Sequence, residues 1–467
     1  MSPDADTTRV IISDLHLGKN DEFDIFKADG KEGAFEAFLA HCGKLAGPVE
    51  LIINGDFVDF LQLKPWDIYS CKGKISLQEK ALSKAKEIAQ GNARVFNALT
   101  GFLANPNTRI AVLLGNHDVE LAFDKVWAVF QSAILGSSGD KDRLKLINRA
   151  TQYNFRVGEV MVHVEHGNIG DPWNEIVYKE LFEAAETNSE FEFPPGTRFV
   201  YEVMNEYKEK LYFVDLLKPE VPAVPLLLVR LEPFQSVMKL PQASLNFMRT
   251  LKQDFIGRVR KKAHGGSFGE KGQEDPAPDD SIGEMARFYV SEVDSDPQHL
   301  EDLLKDDESA HSEISSKPSF ASGWLARIKG AFGDAILKRL GRPARLGDTS
   351  FYQADHDGKD VDSAQERIQG DVQIVVFGHT HSALKKEFSP GTVYINSGTW
   401  ANLIEMPTES KDFAGWLGKI ASNEFKRTSF PTYVTLVPDN GAAKACLNHW
   451  SEKGEQVLWS KNITASK

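Results

Sequence analysis

The sequence VLLGNHD, at residues 112–118, is an apolar run that ends abruptly in residues able to bind a metal ion or to move protons. The β-branched and leucine content of residues 110–114 predicts a strand buried on both faces, and residues 119–130 are predicted to form a helix. Asn116 and His117 would therefore lie on a tight turn between a strand and a helix. Open α/β sheets bind their ligands at this edge, beyond the carboxyl ends of the strands.

Polar residues also follow the other predicted strands. One strand is predicted to begin at residue 9, and others are predicted at 48–53, 160–164, 372–377, 393–396 and 432–437. The strand at 160–164 would be the second arm of a hairpin over 153–165. Helices are predicted at 33–42 and 76–103. The strand ends together carry seven side chains with donor atoms for a metal: Asp14, His16, Asp56, Asn116, His166, His379 and His381.

These side chains form a mixed set of nitrogen and oxygen donors without a thiolate. Such a set suits Mn²⁺, Fe²⁺ or Zn²⁺ and excludes a sulfur-type zinc site. In an extended strand end, residues i and i+2 point the same way, so Asp14 with His16, and His379 with His381, are each expected to face one ion. The donors are too many for one tetrahedral ion, and they fit two ions that share a carboxylate.

The composition is that of a globular protein with a sizeable core, since 41% of the 467 residues are hydrophobic and 26% are charged. This length predicts two or three domains, or one domain with a large insertion. The net charge of -13 argues against a protein whose main role is to coat nucleic acid. Three widely spaced cysteines, no secretory signal and no apolar run long enough to cross a membrane lead us to expect a cytoplasmic protein.

The character of the sequence changes after residue 172. Residues 173–370 are predicted to form a mainly helical insertion that acts as a lid, partly disordered around 264–317, where the sequence is polar and acidic. Residues 1–172 and 371–467 would form the two parts of the core. The apolar stretch 211–240 is broken by prolines, so it cannot span a bilayer as one helix, but it could contact a membrane surface or line a lipid-binding cleft.

Five short blocks resemble, in order, those of the calcineurin-like metallophosphoesterase superfamily. The blocks are Asp14-x-His16, Gly55-Asp56-x-x-Asp59, Gly115-Asn116-His117-Asp118, His166-Gly167 and Gly378-His379-Thr380-His381. The resemblance implies an α/β fold, a four-layer α/β/β/α sandwich in which two mixed β-sheets pack face to face between helices. It does not cover the insertion.

The resemblance also implies a role for the residues of each block. One metal ion would be held by Asp14, His16 and His381, the other by Asn116, His166 and His379, and Asp56 would bridge the two. His117 would face the leaving-group oxygen without binding metal, with Asp59 as its orienting partner, while Asp118 is interpreted as a helix N-cap or first-turn charge. Mn²⁺ is the expected metal, with Fe or Zn as alternatives.

The implied activity is hydrolysis of a phosphoester bond, in a monoester, a diester or a pyrophosphate, by a metal-bridging hydroxide. Two cations about 3.5 to 4 Å apart clamp the phosphoryl oxygens and lower the pKa of a bridging water towards about 7. A histidine beside a carboxylate stays cationic enough to give a proton to the departing oxygen, and His117 with Asp59 fits that role. The expected partner is a phosphoester-containing small molecule or a nucleotide-lipid, and the oligomeric state stays open.

Several alternatives for the reaction remain. Phe60 and Leu114 stand where Ser/Thr protein phosphatases carry arginine, which disfavours that class. The first two blocks are similar to those of UDP-2,3-diacylglucosamine pyrophosphohydrolases, but those enzymes are far shorter, and Asn168 stands where they usually have Asp. An Mre11/SbcD-like nuclease is disfavoured by the acidic charge and favoured only by the basic run 258–262. A scaffold that has kept the fold and lost turnover is the non-enzymatic alternative.

Overall fold

The computed structural model describes residues 5–218 and 359–465, apart from short gaps at 27–30, 65–76, 137–138, 148–151, 172–173, 190, 201–203, 209–211, 390, 406–415, 417–418, 421–423 and 426. The predicted disorder around 264–317 and the basic run 258–262 lie outside the described residues, as does the stretch 211–240 except for 212–218. Among the residues that are described, no helix combines the length and the apolar character that a membrane span requires.

The elements alternate between strands and helices in the first part of the chain, and strands dominate the last part. The strands are β1 (Thr8–Ile12), β2 (Val49–Asn54), β3 (Thr108–Leu113), β4 (Leu144–Ile147), β5 (Tyr153–Val157), β6 (Val160–Val164), β7 (Leu217–Lys218), β8 (Val372–Phe377), β9 (Leu384–Ser389), β10 (Thr392–Asn396), β11 (Ile404–Glu405), β12 (Thr432–Asp439), β13 (Ala442–Ser451) and β14 (Gly454–Ile463). The helices are α1 (Lys31–Cys42), α2 (Leu77–Gly91), α3 (Ala93–Leu103), α4 (Asp124–Leu135), α5 (Tyr178–Thr187), α6 (Pro195–Phe199), α7 (Asn205–Lys208) and α8 (Lys359–Arg367).

The core strands form two mixed sheets. The seven-stranded sheet has the order β14-β13-β12-β1-β2-β3-β4, with parallel pairing from β1 to β4 and antiparallel pairing from β1 to β14. The five-stranded sheet has the order β5-β6-β8-β10-β9, parallel through β6, β8 and β10 and antiparallel at both edges. The register pairs Ile12 with Ile53 and Ile53 with Val112, so the carboxyl ends of β1, β2 and β3 lie side by side.

Side-chain alternation in the strands builds the layers. Val10 of β1 belongs to the same buried cluster as Phe38 of α1, on the helix side of the first sheet. The next residue, Ile11, points to the opposite face and belongs to a cluster with Ile374 of β8, between the two sheets. Helix α8 covers the other face of the second sheet, in a cluster with Val375. The layers are therefore α/β/β/α, and the predicted fold of two mixed sheets between helices is confirmed.

Two predicted helices differ in detail from the structure. The helix predicted over 76–103 is interrupted at Asn92, whose Nδ2 donates to Gly18 O at 2.5 Å and to Ile88 O at 3.1 Å. At this break a Cβ on Gly91 would lie 2.2 Å from Lys19 O, so the close approach of the Lys19 backbone requires glycine. The helix predicted from residue 119 begins instead with a 3₁₀ turn, Val119–Ala122, and α4 starts after it.

The chain divides into two compact units. The first comprises Met1–Leu216, Gly347–Glu405 and Lys426–Lys467, and it contains both large sheets. The second comprises Leu217–Leu346 and Met406–Phe425 and lies almost wholly outside the described residues. Every residue of the predicted site belongs to the first unit. The boundaries of the insertion, 173–370, and its role as a lid stay predictions.

Candidate metal centre

The ends of strands from both sheets are tied together by hydrogen bonds. After β1 and β2, Asp14 N donates to Gly55 O at 3.2 Å, and after β8, Gly378 N donates to His166 O at 2.9 Å. His379 N donates to Asp14 Oδ2 at 3.0 Å, which joins the second sheet to the first. Of the predicted donors, six are fully buried at this junction, namely Asp14, His16, Asp56, Asn116, His166 and His381.

The backbone at the site is left-handed rather than extended. Positive φ angles occur at Asp14 (54°), His16 (51°), Asp56 (50°), His379 (68°) and His381 (60°). This conformation is uncommon for residues other than glycine, and such strain concentrates at functional sites. The premise that these residues continue an extended strand is therefore wrong, because tight turns after the strands direct their side chains, but Asp14 and His16 do belong to one group of donor atoms.

Asp14, His16 and His381 form one compact group of donor atoms. His381 Nε2 lies 3.2 Å from Asp14 Oδ1 and 3.0 Å from His16 Nε2, and His16 Nε2 lies 3.8 Å from Asp14 Oδ1. Two nitrogen ligands at about 2.1 Å from one ion are separated by roughly 3.0 to 3.4 Å, depending on the bond angle. The spacing of this group therefore suits a shared cation, and its three residues could hold a metal ion.

Asp56 connects this group to a second one. Its Oδ2 lies 3.5 Å from His16 Nε2 and 3.2 Å from His166 Nε2. Asp14, Asp56 and His166 also form a group that could hold a metal ion. Asp56 therefore lies between the two predicted sets of ligands, in the position that a bridging carboxylate requires.

His379 lies beside the second set but faces another partner. Its ring centroid is 5.3 Å from that of His166, while its Nε2 lies 3.0 Å from Asp171 Oδ2. Asn116, the remaining predicted donor of this set, is buried after β3. The structure thus brings Asp56 and His166 into direct contact, with the His379 ring near His166 and with Asn116 next in sequence to His117, whose N–H contacts Asp56. Among the described residues, no group of side chains suited to a metal ion includes His379.

Buried donor atoms without a hydrogen-bond partner show that the site fits divalent cations. Among the described residues, buried Asn116 Oδ1 makes no hydrogen bond, and Asp14 Oδ1 and His166 Nε2 have only the ion-pair contacts given above. Buried polar atoms are nearly always hydrogen-bonded, and leaving one unsatisfied costs about 1 to 3 kcal/mol. All three are oxygen or nitrogen donors from predicted ligands, so a bound cation would supply the missing partner.

His117 and Asp59 lie next to the donor atoms. Asp59 Oδ2 is 3.1 Å from His117 Nδ1 and 3.0 Å from His16 Nδ1, and it also accepts from Gln62 Nε2 at 2.9 Å. His117 N donates to Asp56 Oδ1 at 2.9 Å. The His117 side chain is 24% exposed, whereas that of Asp59 is 4% exposed, so His117 can meet a substrate and Asp59 cannot.

The buried carboxylates and histidines of the site shift each other's pKa values towards their charged forms. Burial would raise the pKa of the Asp14, Asp56 and Asp59 carboxyls, but the histidines around them outweigh burial and hold the pKa of each below its usual range. Burial would lower the pKa of His166, but Asp56 and Asp14 outweigh it and raise the pKa to about 9. The carboxylates are therefore ionised at neutral pH, as metal ligands must be, and binding of a cation at His166 releases a proton.

Asp118 lies at the predicted N-cap position, before the 3₁₀ turn Val119–Ala122, but its side chain does not cap that turn. It is fully buried and makes no side-chain hydrogen bond to the 3₁₀ turn that follows. Its Oδ1 accepts from Gly115 N at 2.7 Å and its Oδ2 accepts from Phe57 N at 2.8 Å, so it joins the loops after β2 and β3. Burial and the nearby Asp56 raise the pKa of this carboxyl to about 7. Two other residues that contact the site, Gln62 and Asp171, were not predicted because they belong to none of the five blocks.

Residues 7–218 match the family model described as calcineurin-like phosphoesterase. With the two-sheet fold and the ordered blocks, this match supports the assignment of the chain to the calcineurin-like metallophosphoesterase superfamily, and metal-dependent phosphoester hydrolysis is the chemistry that this family supports in general terms. The matched segment ends before His379 and His381, which reach the site through the second sheet. A comparison with curated proteins found no match.

Proposed function

We propose that this protein hydrolyses phosphoester bonds with two divalent metal ions. The observation that carries the proposal is the buried group of carboxylate and imidazole donors in which Asp56 lies within 3.5 Å of both His16 and His166. The first ion would be held by Asp14, His16 and His381, the second by Asn116, His166 and His379, and Asp56 would contact both. When bound, two such ions supply positive charge for the phosphoryl oxygens and lower the pKa of a water molecule between them.

His117 is the proposed proton donor. Burial would lower its pKa, but Asp59 and Asp56 outweigh burial and raise it. Since Nδ1 faces Asp59, the proton for the leaving oxygen would come from Nε2, the ring nitrogen directed away from that carboxylate. Asp59 would fix the ring orientation and stabilise the protonated form before the transfer.

The test combines elemental analysis with a panel of aryl monoesters, aryl diesters and nucleotide diphosphates in the presence of Mn²⁺. We expect about two ions per chain, and His117→Ala should keep both while turnover falls by about 10²- to 10⁴-fold. Asp56→Asn should lose metal as well as turnover, because Asp56 lies between both sets of donors. His41→Ala is the matched control: His41 of α1 faces Glu455 and Trp450 rather than the donor atoms, and its variant should keep the metal content and turnover of the wild type.

The same panel separates the remaining alternatives. Full activity of His117→Ala on a substrate with a poor leaving group would show that another residue supplies the proton. Two bound ions without turnover on any ester would favour the inactive scaffold. A preference for diesters over pyrophosphates would reopen the nuclease alternative, for which the described residues add no observation. The nucleotide-lipid substrate, the preference for Mn²⁺ and the cytoplasmic location stay predictions.

A further inference from the structure

Asp171 contacts His379, a predicted ligand of the second ion. Its Oδ2 is 3.0 Å from His379 Nε2, with the His379 side chain 12% exposed and that of Asp171 31% exposed. Asp171 follows β6 by a short loop and lies outside all five sequence blocks. None of the roles derived above uses it.

The loop around Asp171 holds its carboxylate in place independently of His379. Asn174 Nδ2 donates to Asp171 Oδ2 at 2.7 Å, and the Asp171 carbonyl accepts from Asn174 N at 3.1 Å and from Glu175 N at 2.7 Å. Asn168, which is buried, donates from Nδ2 to Asn174 O at 3.0 Å and accepts from the Tyr178 hydroxyl at 3.3 Å. The loop between β6 and α5 thus presents Asp171 to His379 in a defined position.

The contact determines which nitrogen of His379 carries the proton. An ionised carboxylate can only accept, so His379 must donate its Nε2–H to Asp171. In a neutral imidazole the other nitrogen, Nδ1, then keeps its lone pair. Histidines that bind metal commonly donate their second ring N–H to a carboxylate, which fixes the tautomer and the ring orientation. The ring of His166, the other imidazole ligand proposed for the second ion, lies 5.3 Å from the His379 ring between centroids.

We propose that Asp171 is a positioning residue for the second metal site, holding His379 in the tautomer that binds the ion through Nδ1. This inference rests on the proposed function, since it assigns His379 to the second ion. Asp171 acts through His379 and contacts neither the ion nor the substrate.

The first test measures Mn²⁺ affinity by equilibrium dialysis and electron paramagnetic resonance, without turnover. Asp171→Ala should weaken binding of the second ion by about 10- to 100-fold and leave the first ion unchanged. Asp171→Asn should lose less, because its amide oxygen can still accept from Nε2–H. Asp142→Ala removes an exposed carboxylate on the 3₁₀ turn before β4 and should bind both ions as the wild type does.

The second test reads the tautomer directly. In protein labelled with ¹⁵N-histidine and loaded with Zn²⁺, two-dimensional NMR distinguishes a proton on Nε2 from one on Nδ1, and His379→Ala identifies the signal. We expect the His379 proton on Nε2 in the wild type and in Asp171→Asn, and a loss of this preference in Asp171→Ala.

The outcomes separate this inference from the proposed function. A His379 proton on Nδ1 in the loaded wild type, unchanged second-ion affinity in Asp171→Ala, or a wild type that binds no second ion would each overturn the role of Asp171. Two bound ions and the expected tautomer in a protein that hydrolyses no ester would overturn the proposed function alone, because neither readout depends on turnover.

Discussion

Asp59 contacts both His16, a predicted metal ligand, and His117, the proposed proton donor. A single oxygen, Oδ2, lies 3.0 Å from His16 Nδ1 and 3.1 Å from His117 Nδ1. The other oxygen accepts from Leu61 N at 2.9 Å, which anchors the carboxylate to the 3₁₀ turn that it precedes. One carboxylate therefore contacts both a proposed ligand of the first ion and the proposed proton donor. From the sequence, Asp59 is predicted to orient His117 alone.

Asp59→Asn should weaken both functions together. If the amide oxygen faces both rings, its NH₂ group meets the donating Leu61 N–H, and if the amide is turned over, the NH₂ group faces the two rings, so neither orientation reproduces the contacts of the carboxylate. We expect first-ion affinity to fall by about 10- to 100-fold and turnover to fall further, whereas His117→Ala lowers turnover without loss of metal. Metal content and kcat measured on the same preparations test this, with Asp142→Asn as the control. Unchanged metal content in Asp59→Asn would restrict Asp59 to its contact with His117.

At the scale of elements, the turns that follow the strands determine where the donor side chains lie. The parallel register places the ends of β1, β2 and β3 side by side, and the left-handed residues after them direct the donors into one volume. Gly115 permits the closest of these approaches, because a Cβ there would lie 2.1 Å from Asp56 Oδ1 and 2.5 Å from Asp56 N. The position of Asp56 therefore depends on the absence of a side chain at residue 115.

Gly115→Ala should damage the site more than the fold. The added methyl group must push Asp56 away, so we expect loss of metal and turnover with a destabilisation of about 1 to 3 kcal/mol. Gly101→Ala is the matched control: a Cβ at this position in α3 meets nothing within 4 Å. It should keep activity and stabilise the protein by about 0.5 to 1 kcal/mol, since alanine favours the helix. Urea unfolding and metal analysis of both variants test the pair, and wild-type metal content in Gly115→Ala would contradict it.

At the scale of the molecule, the two sheets share one site. Asp14, His16, Asp56 and Asn116 follow strands of the first sheet, while His166, His379 and His381 follow strands of the second. Ions held by both sets would link the sheets at this edge, in addition to the apolar cluster between them. Metal binding should consequently stabilise the folded state.

Removal of metal should lower the melting temperature. A ligand that binds only the native state at 100 times its dissociation constant contributes about 2.7 kcal/mol per site, so saturating Mn²⁺ should raise Tm and a chelator should reverse the change. Asp56→Asn should respond little to either treatment. Differential scanning calorimetry provides the comparison, and equal Tm values for the loaded and stripped wild type would argue against ions that join the sheets.

Much of the fold was predictable because its signal is local. Buried strands such as β3 and β8 appear as short apolar runs, and the hairpin β5-β6 lies within the hairpin predicted over 153–165. The strands β4, β9 and β14 were not predicted, since many of their residues are polar and exposed, and β13 was not predicted although most of its residues are buried. The break at Asn92 was not predicted either, because it depends on contact with Gly18, which is distant in sequence.

The sequence by itself determined which donor atoms stand at the strand ends and in what order, because a buried strand and the polar residues after it are neighbours in the chain. Only the tertiary structure decided that Asp56 lies between the two sets of donors, that Asp59 serves His16 as well as His117, and that Asp171 meets His379. These contacts join residues far apart in sequence, and their distances depend on how the two sheets pack and on the left-handed turns at their common edge.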